Sequence, residues 1–233
     1  MFEAQLVQYG GPILDALGRR GFDLEIVDDY SRVETMIAEV GRLETTPMMD
    51  VSRLDFERGE AFWVFLKRDG ACVASVSAKV VDLRSESLAS YIRRTSTGQY
   101  RRTECPIKWM DPFFEYIRGI VVYTGQIQTE EKSPDRTNLQ VSDLIKFLRF
   151  TQLVILSRWD FNWMYGFVAE DHLAMNRHYR FSTAVQQAIE WHEPVPHGRQ
   201  NSHVLLASPR RQVELLFPSK TDKLGENQSL LSV

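Results

Sequence analysis

The sequence predicts an α/β (α+β) fold, a mixed sheet with helices on its faces. Three observations predict it. "AFWVFLK" and "ACVASVSAKVV" are β-rich runs flanking Asp69-Gly70, a pair suited to a tight hairpin turn. "LQVSDLIKFLRFTQLVILSRW" is apolar over more than half of a helical circumference, as a helix buried on two sides requires. Strand-like and helix-like segments also succeed each other without a regular βα alternation.

The elements follow in order. "ILDALGRRGF" reads as a short helix closed by Gly21. "DLEIV" alternates as a strand does. "DDYSRVETMIAEVGRLE" carries Ser31 as an N-cap with Glu34 at the capping-box spacing, and Val33, Met36, Ile37 and Val40 as its apolar stripe. "MMDVSRLDFERGE" adds a second short helix before the hairpin. Residues 83–118 are less regular: "SESLASYIRR" helical, "TSTGQYRR" loop, and "DPFFEYIR" a short helix begun by Asp111 and Pro112. "GIVVYTGQIQ" is a strand, followed by the long helix. "NWMYGFVAE" is a strand, "DHLAMNRHYRF" a helix, "TAVQQAIEW" a strand, "HEPVPHGRQ" a loop and "SHVLLAS" a last strand. From Pro209 the chain is polar apart from "VELLF". No Pro/Gly/Ser-rich linker interrupts it. This predicts a single domain over 1–208, with 83–118 as an inserted segment and 209–233 as a polar, partly disordered tail.

Composition narrows the function classes. At 233 residues the chain can bury a sizeable core. A net charge of -3 argues against a broad nucleic-acid face. Only Cys72 and Cys105 are present, which implies no disulfide framework and fits a reducing, cytoplasmic setting. The start "MFEAQLVQYGG" has no signal-peptide character, and no apolar window is long enough to span a bilayer, so no membrane partner is expected. His172 and His178 are six residues apart and share no helix face; the prolines of "HEPVPH" forbid a helical two-His zinc arrangement, so no metal is expected. No P-loop, dinucleotide fingerprint or Gly-x-Ser-x-Gly elbow is present.

Strand, two helices, hairpin, strand, long helix, strand, helix and two strands resembles the GNAT superfamily of acyl-CoA-dependent N-acyltransferases. The hairpin, "GIVVYTGQIQ" running into "DRTNLQVSDLIKFLRF", the strand "NWMYGFVAE" and the helix "DHLAMNRHYRF" carry the resemblance. It implies a mixed, mostly antiparallel central sheet with helices on both faces. It also implies acyl transfer from a thioester donor, an acyl-CoA (or acetyl-CoA) or an acyl-carrier protein, to an amine of a small molecule. The donor is expected in a wedge between the strands at 119–128 and 162–169, with its phosphates at the start of the long helix. The alternatives are a catalytically inactive GNAT-like binding or scaffold protein, and an autoinducer or N-acyl amino acid synthase-like enzyme fed by acyl-carrier protein. A different α/β enzyme is a further one.

The resemblance also assigns residues. Backbone groups of Gly125, Gln126, Ile127 and Gln128 fall where the family polarises the thioester carbonyl; Gly125 fits a bulge or an ordinary strand position. Arg136, Asn138, Leu139, Gln140, Val141 and Ser142 occupy the phosphate-binding turn, but Leu139 and Val141 stand where the family has glycine. A helix N-terminus favours an anion whatever its sequence, so this turn is either an anion site or a buried connection. Tyr179 matches the acid that protonates the departing sulfur, or is a packed helix-end ring. Asn176 orients a pantetheine amide or a water, or caps the helix end. Glu130 is a general base for the amine, or with Glu131 a solvated charge pair. Arg180 replaces the family's glycine before the aromatic Phe181. The insertion holds Arg84, Arg93, Arg94, Arg101, Arg102, Lys108 and Arg118 among aromatic residues. As a lid it would admit the acceptor beneath it or meet an acidic carrier protein; as a solvated basic face it would do neither. A homodimer is left open.

Overall fold

The computed structural model describes residues 6–40, 46–50, 59–129 and 139–218. The chain enters through a π-helical turn, Leu6–Gly10, and helix α1, Gly11–Gly18. Strand β1, Phe22–Val27, and helix α2, Tyr30–Glu39, follow. The capping residue of α2 is Asp29, whose carboxylate accepts from the Ser31 N–H, two residues earlier than the sequence suggests.

Strands β2, Ala61–Arg68, and β3, Ala71–Leu83, form the hairpin. Asp69 and Gly70 both have positive φ, 50° and 82°, which matches the primed turn their pairing favours. Then come α3, Leu88–Gln99, the short strand β4, Ile107–Met110, and a 3₁₀ turn, Pro112–Tyr116. Strand β5 is Gly119–Thr129, helix α4 is Val141–Arg158 and strand β6 is Trp163–Val168. A 3₁₀ turn, Glu170–Met175, leads into α5, Asn176–Tyr179. Strands β7, Thr183–Val185, β8, Ile189–Trp191, and β9, Val204–Pro209, and helix α6, Arg210–Glu214, complete it.

Seven strands form one mixed sheet in the order β1-β2-β3-β5-β6-β9-β7. Every pairing is antiparallel except β5 with β6, which α4 connects as a parallel crossover. Both faces are covered, so β2 and β3 read as continuous buried runs rather than alternating ones. Phe62, Val64 and Leu66 pack with Phe147, Leu153 and Ile155 of α4. Trp63 and Phe65, on the other face, pack with α2, α3 and the rest of the 83–118 segment.

Three elements differ from the sequence reading. Helix α3 continues through "TSTGQ", which reads as a loop, because Ser96 and Gln99 are buried and tertiary packing overrides their weak helix propensity. "TAVQQAIEW" is two strands, with Gln187 at φ 50° between them. β7 stays in the main sheet, while β8 pairs with β4 in a separate two-stranded sheet. The insertion is a structural layer, since Leu88, Ile92, Ile107, Phe114 and Ile117 belong to the core. Several of its basic groups have acidic partners: Arg84 with Asp82, Arg94 with Glu86, Lys108 with Glu190 and Arg118 with Glu115. After Pro209 the described chain forms α6, with Val213 and Phe217 buried in the core, and residues 219–233 lie outside the described residues. Most of the second short helix expected before the hairpin lies outside the described residues.

Candidate functional site

The wedge expected between the strands after the insertion and after the long helix is present. β5 and β6 are zipped at one end, where Val121, Val122 and Tyr123 oppose Trp163, Met164 and Tyr165. Asn162 clamps that end: its N–H donates to the Ile120 carbonyl at 2.7 Å, and its Oδ1 accepts from the Ile120 N–H at 2.8 Å. Gly119 makes room for this, because a Cβ there would meet Asn162 Oδ1 at 2.1 Å.

Past Tyr123 and Tyr165 the two strands part. β5 stays with β3 as far as the Ala74–Thr129 pair. β6 stays with β9 as far as Val168 and Val204. A cavity of about 200 Å³ fills the fork, with Gly125 and Ile127 on one side and Gly166 and Val168 on the other. The first unzipped residues touch through backbone, since a Cβ on Gly166 would lie 2.5 Å from the Thr124 carbonyl oxygen. Thr124 therefore presents its polar backbone edge to the fork.

β5 also bulges here. Gly125 to Gln128 spans three residues where Ser77 to Ser75 spans two on β3, so β5 carries one residue more than its partner. Two hydroxyls pin the bulge: Ser77 Oγ donates to the Gly125 carbonyl at 3.1 Å, and Thr124 Oγ1 donates to the Ser77 carbonyl at 3.2 Å. Gly125 is required because the Tyr123 ring lies over it, its hydroxyl 2.2 Å from where a Cβ would stand.

Tyr179 reaches the cavity from the end of α5. α4 fixes that end: Gln152 Nε2 donates to the Tyr179 carbonyl at 2.9 Å, and Arg149 Nη2 donates to the His178 carbonyl at 3.2 Å. Burial pushes the Tyr179 phenol above its usual range, so it stays protonated at neutral pH. Asn176 is engaged elsewhere. Its amide nitrogen donates to the Phe181 carbonyl and its amide oxygen accepts from the Phe181 N–H, each at 3.2 Å. That clasp holds Arg180 at φ 56°, the conformation a glycine would adopt more easily.

The start of α4 is occupied by the protein's own anion. Asp143 is 1% exposed; its Oδ2 accepts from the Gln140 N–H at 3.1 Å and from Arg20 Nη2 at 3.1 Å. A carboxylate in the first turn already meets the helix's positive end. Leu139 packs against the core, while Gln140, Val141 and Ser142 are exposed, and none of the four lines the fork. Ile127 lines the fork, and Gln128 pairs with Ser75. Of Gln126 only the backbone, within β5, is described. Glu130, Arg136 and Asn138 lie outside the described residues.

Two cavity residues have no signal in the sequence, Arg199 and His203. Both sit between β8 and β9, in a stretch with no periodicity, and only the tertiary fold carries them to the fork. His203 Nδ1 accepts from the Gln200 N–H at 3.2 Å. Burial first, and the Arg199 charge second, push the His203 imidazole down to about 4. It is therefore neutral at physiological pH, with the proton on Nε2, and is a donor rather than a base. Among the described residues no group of three His, Cys, Asp or Glu side chains is placed to hold a metal ion. None of the described helices is long and apolar enough to cross a membrane.

No family model matches the chain, and no curated protein matches it. Solved structures do. One is FeeM, an N-acyl amino acid synthase from uncultured soil microbes, at 12% identity and TM-score 0.43, over 83% of this chain and 93% of that one. Another is the AHL synthase LasI, at 11% identity and TM-score 0.43, over 81% and 89%. A third is Arabidopsis thaliana Naa50 in complex with a bisubstrate analogue, CoA-Ac-MVNAL, at 10% identity and TM-score 0.39, over 81% and 98%. At such identities these are likenesses of fold alone.

Proposed function

We propose that this GNAT-like chain is an N-acyltransferase that moves an acyl group from a thioester to the amine of a small molecule. One observation carries the reading: β5 and β6 separate at Thr124 and Gly166 into a fork whose cavity receives the buried, protonated Tyr179. Where paired strands part, the freed backbone edge is left for water or a ligand to satisfy. An extended pantetheine arm, with its two amides, has the shape and hydrogen-bonding capacity to lie along that edge.

The chemistry follows from the lining. Backbone N–H groups of β5 at the bulge polarise the thioester carbonyl, as preorganised donors do for a developing oxyanion. The neutral amine attacks that carbon and a C–N bond forms. The C–S bond then breaks, and Tyr179 gives its proton to the departing sulfur, leaving a thiol and an amide. The proton shed by nitrogen goes to a base and restores the phenol. Glu130, directly after β5, is the candidate for that base, acting directly or through water.

The donor is an acyl-CoA or an acylated carrier protein. The Asp143–Arg20 pair already occupies the α4 terminus, so the two donors are best separated by experiment. Acetyl-, octanoyl- and palmitoyl-CoA, and the same chains on carrier protein, are tested by thermal shift and by thiol release with a panel of amines. A ligand that binds the folded state raises Tm by mass action. Binding and thiol release with one donor series support the reading; absence of both for every donor refutes it.

A further inference from the structure

Arg199 is the cavity's charged side chain. Its guanidinium lies against two rings, 5.4 Å from the Phe167 centroid and 5.7 Å from the Tyr100 centroid. Its Nε donates to the Tyr100 hydroxyl, which fixes the plane of the fork-shaped group. Among the described residues no carboxylate pairs with it; the groups that favour its charge are phenols, those of Tyr100, Tyr123 and Tyr165. His203 beside it is neutral, so this wall carries one positive charge. The Tyr165 hydroxyl is buried with no hydrogen-bond partner among the described residues. The phenols hold the guanidinium charged against the cost of its burial, and a carboxylate in the cavity would add the anion it lacks.

We infer that Arg199 seats a carboxylate of the acceptor, which makes the acceptor an amino acid in chemical class; this deepens the N-acyltransferase reading and rests on it. Position favours the acceptor over the donor. Arg199 lies on the cavity wall with Tyr123 and Gly166, at the zipped end of the fork and beside Tyr100, which caps the inserted helix α3. Charge favours a carboxylate over a phosphate, since one guanidinium matches a monoanion and binds it through two parallel bonds.

The test measures product-like ligands on the intact chain by calorimetry. The probes are N-octanoyl-glycine, N-octanoyl-leucine and N-octanoyl-phenylalanine, each beside its decarboxylated amide. The seat predicts that at least one acid binds ten-fold or more tightly than its amide. It predicts that Arg199→Gln removes this preference without weakening the amide, and that Arg199→Lys restores part of it. A purely structural Arg199 would lower both affinities together. Equal binding of acid and amide, no binding by any acid, or a preference that survives Arg199→Gln each overturn the seat. Octanoyl-CoA binding on the same samples scores the acyltransferase reading separately.

Discussion

Gly166 lies against the carbonyl of Thr124 so closely that a Cβ would come within 2.5 Å of its oxygen. The two strands part from a backbone-to-backbone contact, and the fork has a fixed origin. Gly166→Ala must push β5 away from β6 at that point. Overpacking of this kind costs about 2 kcal/mol, which lowers Tm by about 5 °C. Thermal unfolding checks the stability, and titration with the working thioester should show weaker binding beyond what the Tm change explains.

Tyr179 should act through its hydroxyl alone. Tyr179→Phe keeps the ring in place and is expected to change Tm by less than about 3 °C. Loss of a general acid lowers kcat by about a hundred-fold. Since burial raises the phenol's pKa, the wild-type rate should hold up to about pH 10 on its alkaline side, as read from a kcat profile. Full turnover by the phenylalanine variant would remove Tyr179 from the mechanism.

Asn176 should behave differently, because both ends of its amide hold the Phe181 backbone. Asn176→Ala loses two hydrogen bonds and the clasp on Arg180, at a cost of about 2 kcal/mol. Denaturant unfolding measures this. At a temperature where the variant is folded, kcat should fall no more than about three-fold, far less than for a group acting as catalyst.

Lys79 gives the protein a pH signature. It is 1% exposed, and burial pushes its ammonium down from 10.5 to about 7, with Glu60 opposing the shift weakly. Below pH 7 both folded and unfolded chains carry the proton. Between about 7 and 10.5 the unfolded chain holds a proton that the folded chain has lost. Stability from this group is therefore full above 10.5 and is lost as pH falls toward 7. Relative to Lys79→Met, the wild type should gain up to about 1.4 kcal/mol per pH unit from pH 7 to 9, measured by urea unfolding. A flat difference would refute it.

Much of the fold is written locally. Asp69-Gly70 sets the hairpin, and the apolar breadth of residues 139–159 sets α4. The two strands that make the fork were legible as strands, and Tyr179 as a helix-end residue, from the family-like order of elements. What was not legible depends on distant contacts. Gln187 at φ 50° carries no turn signal, so β7 and β8 merge in the sequence. Ser96 and Gln99 are helical where tertiary packing buries them. Arg199 and His203 have meaning only once the chain between β8 and β9 closes over the cavity. The ion pair at the start of α4 was equally hidden, because Arg20, the partner of Asp143, lies 123 residues away.

β9 is the last strand among the described residues, yet it lies between β6 and β7. During synthesis, then, every earlier strand of the sheet can leave the ribosome while the place beside the edge strand β7 is still empty. Val204, Leu205 and Leu206 fill that gap, and both flanking edges stay open until they emerge. A nascent chain stalled before them exposes two unpaired apolar borders, the kind of surface that chaperones hold and that drives aggregation.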